Sequence, residues 1–259
     1  MTVSIVTISF NQIEYLQRCR SSILGQSRPV QHIIVDPGST DGSRELIESW
    51  GSDVVAVLEK DHGPADGLNR GLSRITGNIW TYLNSDDELA PGAVQRLEEI
   101  HAQQPSTDVL IGNGWTIDEL GRPIRFIRSD RFSPSRYSRS VGTVLQQATS
   151  FKSSSTIPGL RFNIENRFNW DTELLFDAYR AGLTFGYTPE VLGYFRMQPS
   201  SITVSGKFED GLRAEREKLI KSVRGGRVLK LLSKPSRAIK ALRRTGLLAP
   251  AFPGLAVQP

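Results

Sequence analysis

One short acidic segment has the residue types and the position expected of a metal site. Asn84-Ser85-Asp86-Asp87 follows the apolar run at residues 79–83, so its carboxylates would project from the end of a buried strand. Hard oxygen ligands in such a place suit Mg²⁺ or Mn²⁺, which commonly bridge the phosphates of a bound nucleotide. Two adjacent aspartates could instead cap a helix predicted at residues 91–104, or simply face solvent.

The elements around this segment predict a layered α/β fold. Short β-branched runs alternate with helical patterns over the first ninety residues, which indicates βαβ units and a largely parallel sheet. The predicted strands are residues 3–8, 31–36, 54–58 and 79–83, and the predicted helices are residues 13–24, 43–50 and 65–75. Polar loops follow the strands, at the sheet edge where such folds bind ligands. These loops are Ser9 to Asn11, Asp36 to Gly42, Asp61 to Pro64 and Asn84 to Asp87.

The second half of the chain has a weaker pattern. A helix is expected at residues 91–104 and another at residues 171–181, with strands at residues 109–111, 124–127 and 191–195. Residues 128–140 are rich in arginine and serine, which is typical of an exposed, mobile connection. Such a connection could form a lid over the site.

The order and spacing of these blocks resemble the inverting glycosyltransferases of family 2, which have the GT-A fold. The blocks are Val6 to Asn11, Ile33 to Ser43, Asp61 to Gly77, and Leu83 to Asp87. A weaker likeness continues at Gln147 to Phe151 and at Asp171-Thr172-Glu173-Leu174. The resemblance implies a Rossmann-like, mostly parallel mixed sheet flanked by helices. It also implies transfer of a sugar from a nucleoside diphosphate sugar to an acceptor hydroxyl.

The same resemblance implies roles for individual residues. By position, Asp171 would be the general base, and Asp87 together with Asp86 would bind Mn²⁺ or Mg²⁺. Arg70 would meet the diphosphate, and Asp86 would also reach the ribose. The remaining substrate contacts would come from Thr7, Ser9, Asn11, Asp36, Asp61, Asn84, Gln147, Glu173 and Gln198.

Several of these positions have a second interpretation. Asp171 would begin a helix, where a carboxylate is stabilised as a cap by ~0.3–1 kcal/mol. Asp36 and Asp41 also suit tight turns and helix caps. Gln198 stands where relatives often have a histidine that approaches the metal, and an amide is a poor metal ligand. The resemblance makes residues 33–43 the nucleoside-binding segment, and Pro37 removes one backbone N–H donor from it. The sequence therefore does not predict which nucleobase is preferred.

Composition narrows the class of protein. With 38% hydrophobic and 23% charged residues, the chain has the balance of a globular protein, and no stretch approaches the ~18 apolar residues of a membrane span. The start lacks a secretion signal, so we expect a cytosolic protein that begins near Met1. Cys19 falls within a helical pattern and is predicted to be a core thiol. The sequence has neither a dinucleotide fingerprint nor a phosphate loop, which argues against dehydrogenases and nucleotide hydrolases.

Charge is distributed unevenly along the chain. Residues 1–206 hold 19 Lys and Arg against 23 Asp and Glu, so the net charge of +5 comes from the remainder. We therefore predict a GT-A domain at residues 1–206, with a nucleotide-sugar half at 1–104 and an acceptor half at 105–206. Residues 207–259 would form a basic helical tail, packed on the body or lying on an anionic membrane surface. The tail lacks interleaved aromatic residues, so no nucleic acid partner is expected.

The expected function is metal-dependent, inverting sugar transfer, with a UDP-sugar favoured as the donor. The acceptor would be a glycan or a lipid-linked glycan in cell-surface polysaccharide or glycolipid assembly. One alternative is a module that binds nucleotide sugars without turnover. The other is a nucleotidyltransferase, which should have a glycine-rich, Lys- or Arg-bearing loop near its start. Ser9-Phe10-Asn11-Gln12 is not such a loop.

Overall fold

The computed structural model describes residues 1–139, 142–199 and 209–223. Its centre is a nine-stranded mixed sheet in the order β3-β2-β1-β4-β8-β6-β9-β5, with β7 paired to β6. The strands are β1 Val3–Ile8, β2 Val30–Val35, β3 Val55–Val57, β4 Ile79–Asn84, β5 Glu88–Leu89, β6 Val109–Ile117, β7 Pro123–Ile127, β8 Thr149–Lys152 and β9 Phe185–Arg196. The helices are α1 Ile13–Leu24, α2 Ser43–Ser49, α3 Pro64–Leu72, α4 Ala93–Gln103, α5 Pro134–Ser138, α6 Ser153–Thr156, α7 Trp170–Arg180 and α8 Glu209–Val223.

Helices cover both faces of this sheet because the strand side chains alternate between two cores. Val6 points towards α3 and α7, where it packs in one buried cluster with Leu68 and Leu174. Ile5, the preceding residue, belongs to the opposite cluster with Cys19 and the α1 and α4 side chains. Strands that are buried on both faces are largely apolar, and four of the six residues in each of β1, β2 and β4 are apolar.

Most of the predicted elements are confirmed, with bounds that shift by a few residues. The four strands and three helices of the first ninety residues are present, and β1, β2, β3 and β4 pair in parallel. The predicted strand at residues 191–195 is only the end of β9, which begins at Phe185. The predicted strand at 109–111 continues as β6 to Ile117. These two strands pair in parallel along β6, and that long-range pairing extends both beyond their local patterns.

The prediction for residues 128–140 was wrong in one respect. This segment contains the helix α5, capped by the Ser133 side chain, which accepts a hydrogen bond from the Arg136 backbone N–H. Phe132 is buried and its ring lies 5.3 Å from the ring of Phe176 in α7. Burial of a large aromatic ring anchors the segment to the body. Movement of this segment as a lid stays a prediction.

Two glycines let β9 approach the chain that precedes β8. A Cβ added to Gly193 would collide with the backbone carbonyl of Gln147, and one added to Gly114 would collide with Gly193. Glycine is required where two backbones come this close. The close approach brings the end of β9, at Arg196, beside the loop that follows β4.

The predicted tail falls partly within the described residues. Residues 209–223 form α8, which packs on the body through Leu219 and through hydrogen bonds to the segment before α7. Its four acidic side chains balance its four basic ones. Residues 224–259, which carry most of the basic excess, lie outside the described residues. Within the described part, no helix has the length and apolar character required to cross a membrane.

Candidate functional site

A large cavity opens where the parallel strands end. Its volume is about 820 Å³, within the usual range for small-molecule sites. Loops after β1, β2, β3 and β4 form one side of it, and the segments before β8 and at the start of α7 form the other. The wall includes six of the predicted site residues, which are Ser9, Asp61, Asn84, Asp86, Gln147 and Asp171.

Asp86 and Asp87 are adjacent in sequence but have different environments. Asp86 lines the cavity and is 7% exposed, whereas Asp87 is fully buried and is not part of the wall. The carboxylate of Asp87 accepts hydrogen bonds from the side chains of Asn84 (3.1 Å) and Gln147 (2.7 Å) and from the backbone N–H of Arg196 (3.0 Å). The prediction that made Asp87 the principal metal ligand is therefore not supported by this geometry, and Asp86 is the carboxylate that faces the cavity.

Arg196 holds the turn that contains both aspartates. Its guanidinium is fully buried, donates to the Asp86 backbone carbonyl (2.9 Å) and forms an ion pair with Glu88. It also donates to the carbonyls of Asp118 and Glu119. A buried charge has to be paired and hydrogen bonded in this way to be tolerated. Sequence analysis missed Arg196, although an arginine that closes an apolar strand was the available signal.

Burial raises the pKa values of both aspartates in the turn after β4. Desolvation raises the pKa of Asp86 above its usual range, opposed by a hydrogen bond from the Gln198 side chain at 3.0 Å. The pKa of Asp87 is raised more strongly, by its own burial and then by the nearby charge of Asp86. Gln198 therefore contacts the candidate metal carboxylate rather than the cavity.

The residues around Asp86 suit a divalent cation that is bound partly by the protein and partly by the phosphates of a substrate. Within the described residues no cluster of three His, Cys, Asp or Glu side chains forms a complete metal cage. Mg²⁺ is typically held by one or two carboxylates and by substrate phosphates, and a single carboxylate facing a cavity matches that arrangement. Asp86 is the residue that would hold the ion.

The loop that follows β1 and the loop that follows β2 are joined by hydrogen bonds. Asn11 accepts a hydrogen bond from the Thr40 backbone and donates its own backbone N–H to the Ser39 hydroxyl. The buried Asp36 carboxylate accepts the backbone N–H groups of Gly38 (2.8 Å) and Ser39 (2.7 Å). It thus shapes the loop, and because Asp36 is fully buried and not part of the cavity wall, its predicted substrate contact is not supported.

Ser9 is the polar residue of the first loop that faces the cavity. Its buried hydroxyl has no hydrogen-bond partner in the described residues. An unpaired buried hydroxyl costs free energy unless a ligand or water satisfies it. Thr7, in contrast, is wholly buried between the sheet and α1, where its hydroxyl lies 2.9 Å from Nε2 of His32. The predicted substrate contact of Thr7 is not supported by this position.

Asp61 and Lys60 provide charges at the far side of the cavity. Burial raises the pKa of Asp61, and a bond from the Gly63 backbone N–H at 2.9 Å opposes the shift. Among the described residues, Lys60 is the one Lys or Arg side chain in the wall. Arg70, predicted to meet a diphosphate, is instead paired with Glu59 (3.0 Å) and Asp66 (3.3 Å) outside the cavity. Sequence analysis did not single out Lys60.

Asp171 reaches the cavity from the first turn of α7. Its carboxylate accepts the backbone N–H of the next residue, Thr172, at 2.7 Å, and burial raises its pKa. The N-cap position of α7 belongs to Asn169, so the capping interpretation of Asp171 is not supported. The aromatic side chains of Phe168 and Trp170 line the wall beside it. Glu173 points away from the cavity and accepts hydrogen bonds from Asn163 (3.1 Å) and Asn166 (2.6 Å), so its predicted substrate contact is not supported.

Comparisons with known proteins concern the family and the fold of the chain. The model of the family described as "Glycosyl transferase family 2" matches residues 4–168. The glycosyltransferase GlyG of Streptococcus pneumoniae is 33% identical over 122 residues, which cover 45% of this chain and 40% of GlyG. TuaG of Bacillus subtilis, a glycosyltransferase provisionally assigned to teichuronic acid biosynthesis, is 36% identical over 91 residues, or 33% of this chain and 36% of TuaG. The matched regions thus span less than half of these relatives.

Solved structures show the same fold at low sequence identity. TarS of S. aureus, in complex with UDP-GlcNAc, superposes with a TM-score of 0.66 at 16% identity, covering 94% of this chain and 71% of that structure. The mannosyltransferase PcManGT of Pyrobaculum calidifontis, in complex with GDP-Man and Mn²⁺, gives 0.63 at 16% identity, with coverage of 95% and 70%. The chain has the GT-A fold of these proteins. Since the family model matches well over half of its residues, the chain belongs to glycosyl transferase family 2.

Proposed function

We propose that the chain transfers a sugar from a nucleoside diphosphate sugar to an acceptor hydroxyl, with inversion at the anomeric carbon. One observation carries the proposal: a single cavity has Asp86 on its strand side and Asp171 on its helix side. A cavity-facing carboxylate suits a metal bound to the diphosphate, and a second one suits a general base. The residue pair thus provides both chemical roles that a single displacement requires.

In the proposed reaction Asp171 accepts the proton of the acceptor hydroxyl. The acceptor oxygen forms its bond to the anomeric carbon while the bond from that carbon to the diphosphate oxygen breaks. A divalent cation, Mn²⁺ or Mg²⁺, would neutralise the charge of the departing nucleoside diphosphate. Asn84 and Gln147 hold Asp87, and Arg196 holds the backbone of the turn, so the protein fixes Asp86 before substrate arrives.

The two halves of the domain have separate proposed roles. Residues 1–104 would bind the nucleotide sugar, because the wall on this side consists of loops after parallel strands. Residues 105–206 would bind the acceptor, because the wall on this side contains Asp171 and the aromatic residues Phe168 and Trp170. Aromatic faces pack well against the apolar faces of sugar rings. The proposed direct substrate contacts are Ser9, Asp61, Asn84 and Gln147.

A UDP-sugar is the favoured donor, and cell-surface polysaccharide assembly is the favoured process. TarS is seen with UDP-GlcNAc, PcManGT with GDP-Man, and TuaG is linked to teichuronic acid. A panel of uridine, guanosine and thymidine diphosphates, tested for thermal stabilisation with and without Mn²⁺, measures the preference. We expect UDP with Mn²⁺ to give the largest rise in Tm, since a ligand at 100 times its Kd stabilises by about 2.7 kcal/mol.

The panel, together with an assay of sugar transfer, separates the proposed transferase from a binding module without turnover. No stabilisation by any diphosphate would contradict a nucleotide-sugar site. Binding of UDP without transfer from UDP-sugars to any glycan or lipid-linked acceptor would identify a binding module that lacks turnover.

We also propose a cytoplasmic location with contact to the inner membrane face through the basic tail. Residues 225–259 contain seven Lys and Arg and no Asp or Glu, and each such charge near an anionic surface contributes about 1 kcal/mol. Deleting residues 225–259 should leave the domain folded and strongly reduce sedimentation with anionic vesicles. Neutral vesicles are the control, and equal sedimentation of both proteins with anionic vesicles would reject the membrane contact.

A further inference from the structure

A carboxylate from α8 binds the chain segment that leads into the helix of Asp171. Glu215 accepts the backbone N–H groups of Arg167 (3.2 Å), Phe168 (3.2 Å) and Asn169 (3.3 Å). One carboxylate oxygen takes the first of these and the other oxygen takes the remaining two. Asn169 directly precedes α7, so Glu215 satisfies donors at and just before the start of the helix that carries Asp171.

The usual capping residue of α7 does not perform this task itself. Asn169 occupies the N-cap position, but its side chain makes no cap hydrogen bond to α7. Its Nδ2 instead donates to the backbone carbonyl of Leu212 in α8, at 2.9 Å. The residue that precedes α7 thus donates a hydrogen bond to the α8 backbone. In return, α8 supplies an acidic side chain near the N-terminus of α7. Negative charge is favourable at that position.

Packing reinforces this link between α8 and the cavity wall. Gly211 of α8 lies so close to Phe168 that an added Cβ would collide with its ring. Phe168 and Trp170 line the cavity, and Leu219 of α8 is buried in the same core cluster as Trp170. The outer side of the proposed acceptor wall therefore rests on α8.

We propose that Glu215 is a positioning residue, which acts by holding residues 167–169 and thereby placing Asp171 in the cavity. The proposal rests on the proposed role of Asp171 as the base. A general base has to lie within hydrogen-bond reach of the proton it accepts, and a displacement of about 1 Å can cost as much as 100-fold in rate. Removing the three backbone contacts should therefore slow transfer without changing the nucleotide side of the cavity.

The test compares two variants that remove the same charge from the same helix. Glu215→Gln keeps the size of the side chain but replaces one acceptor oxygen with a donor group, which cannot accept a backbone N–H. Glu217→Gln is the matched control, because Glu217 is exposed and its carboxylate pairs with Arg213 at 3.6 Å in the same helix. We expect Glu215→Gln to lower kcat about 10-fold or more, with donor Kd within about 2-fold, and Glu217→Gln to leave both unchanged.

A double-mutant cycle shows whether Glu215 acts through Asp171. In the Asp171→Asn background, Glu215→Gln should cause no further loss of the residual rate, since coupled residues are not additive. Unchanged kcat in Glu215→Gln, or an equal loss in both backgrounds, would overturn the positioning role. Asp171→Asn alone tests the proposed base, and full activity of that variant would refute it. An inactive Asp171→Asn together with a fully active Glu215→Gln would refute only the positioning role.

A second variant covers loss of folding. If Glu215→Gln unfolds at the assay temperature, Glu215→Asp keeps the charge but shortens the side chain by one methylene, which withdraws the carboxylate from the three backbone N–H groups. Lower kcat with unchanged donor Kd in this variant supports the proposal, and unchanged kcat contradicts it.

Discussion

Replacing Asp171 with asparagine should lower the rate of sugar transfer about 100-fold or more, the usual scale of general-base catalysis. The asparagine side chain has nearly the same shape and can still accept the Thr172 backbone N–H. It cannot accept a proton from an acceptor hydroxyl. The substitution therefore removes the proposed base but keeps the hydrogen bond to Thr172.

The measurement needs turnover, donor affinity and melting temperature on one preparation. Donor Kd and Tm should stay close to the unmodified values, because Asp171 lies on the helix side of the cavity. A well-folded asparagine variant that retains more than about a tenth of the turnover would exclude Asp171 as the base, given that expected scale. Glu173 is a poor replacement candidate, since its carboxylate points away from the cavity and is held by Asn163 and Asn166.

The pH dependence of kcat provides a second check on Asp171. A general base works only when deprotonated, so kcat should fall as pH drops through its pKa. Burial raises that pKa, so this fall should lie above the value of about 3.9 that is usual for an exposed aspartate. In Asp171→Asn the residual rate should no longer fall as the pH drops through this range.

Asp86→Asn should abolish the effect of Mn²⁺ on donor binding. The change removes the anionic oxygen that faces the cavity, while the amide oxygen can still accept the hydrogen bond from Gln198. Loss of residues that only support metal ligands typically costs about 10- to 100-fold in affinity, so we expect at least about 100-fold weaker metal-assisted binding here. Titration with UDP and Mn²⁺ measures this value. Unchanged Mn²⁺-assisted affinity would remove Asp86 from the metal site.

Asp87→Asn is the matched comparison, with a different expected result. The Asp87 carboxylate accepts three hydrogen bonds from protein donors. In Asp87→Asn the amide NH₂ group would face at least one of these N–H donors, and neither could then form a hydrogen bond with the other. A buried donor without a partner costs about 1–3 kcal/mol, so this variant should melt at a lower temperature. A normal Tm together with lost metal binding in Asp87→Asn would restore Asp87 as the ligand.

Local sequence patterns were sufficient to predict the first half of the fold and the location of the site. The apolar runs at β1, β2 and β4 are long and bounded by polar loops, so local periodicity was enough to predict the parallel sheet. Parallel strands bring their following loops to one edge, and the cavity lies at that edge. Strand geometry thus predicted the loops that contain Ser9, Asp61, Asn84 and Asp86, and the family resemblance singled out these residues within them.

Long-range contacts determine which of the two neighbouring aspartates faces the cavity. The direction of the turn after β4 depends on Arg196, which is 110 residues further along the chain and binds the Asp86 carbonyl. Pairing with Glu59 and Asp66 likewise removed Arg70 from the site. The contact of Glu215 with the start of α7 joins residues 46 to 48 positions apart. Periodicity and motifs describe neighbours in the chain, whereas these contacts arise from packing between distant segments, so no local pattern contains them.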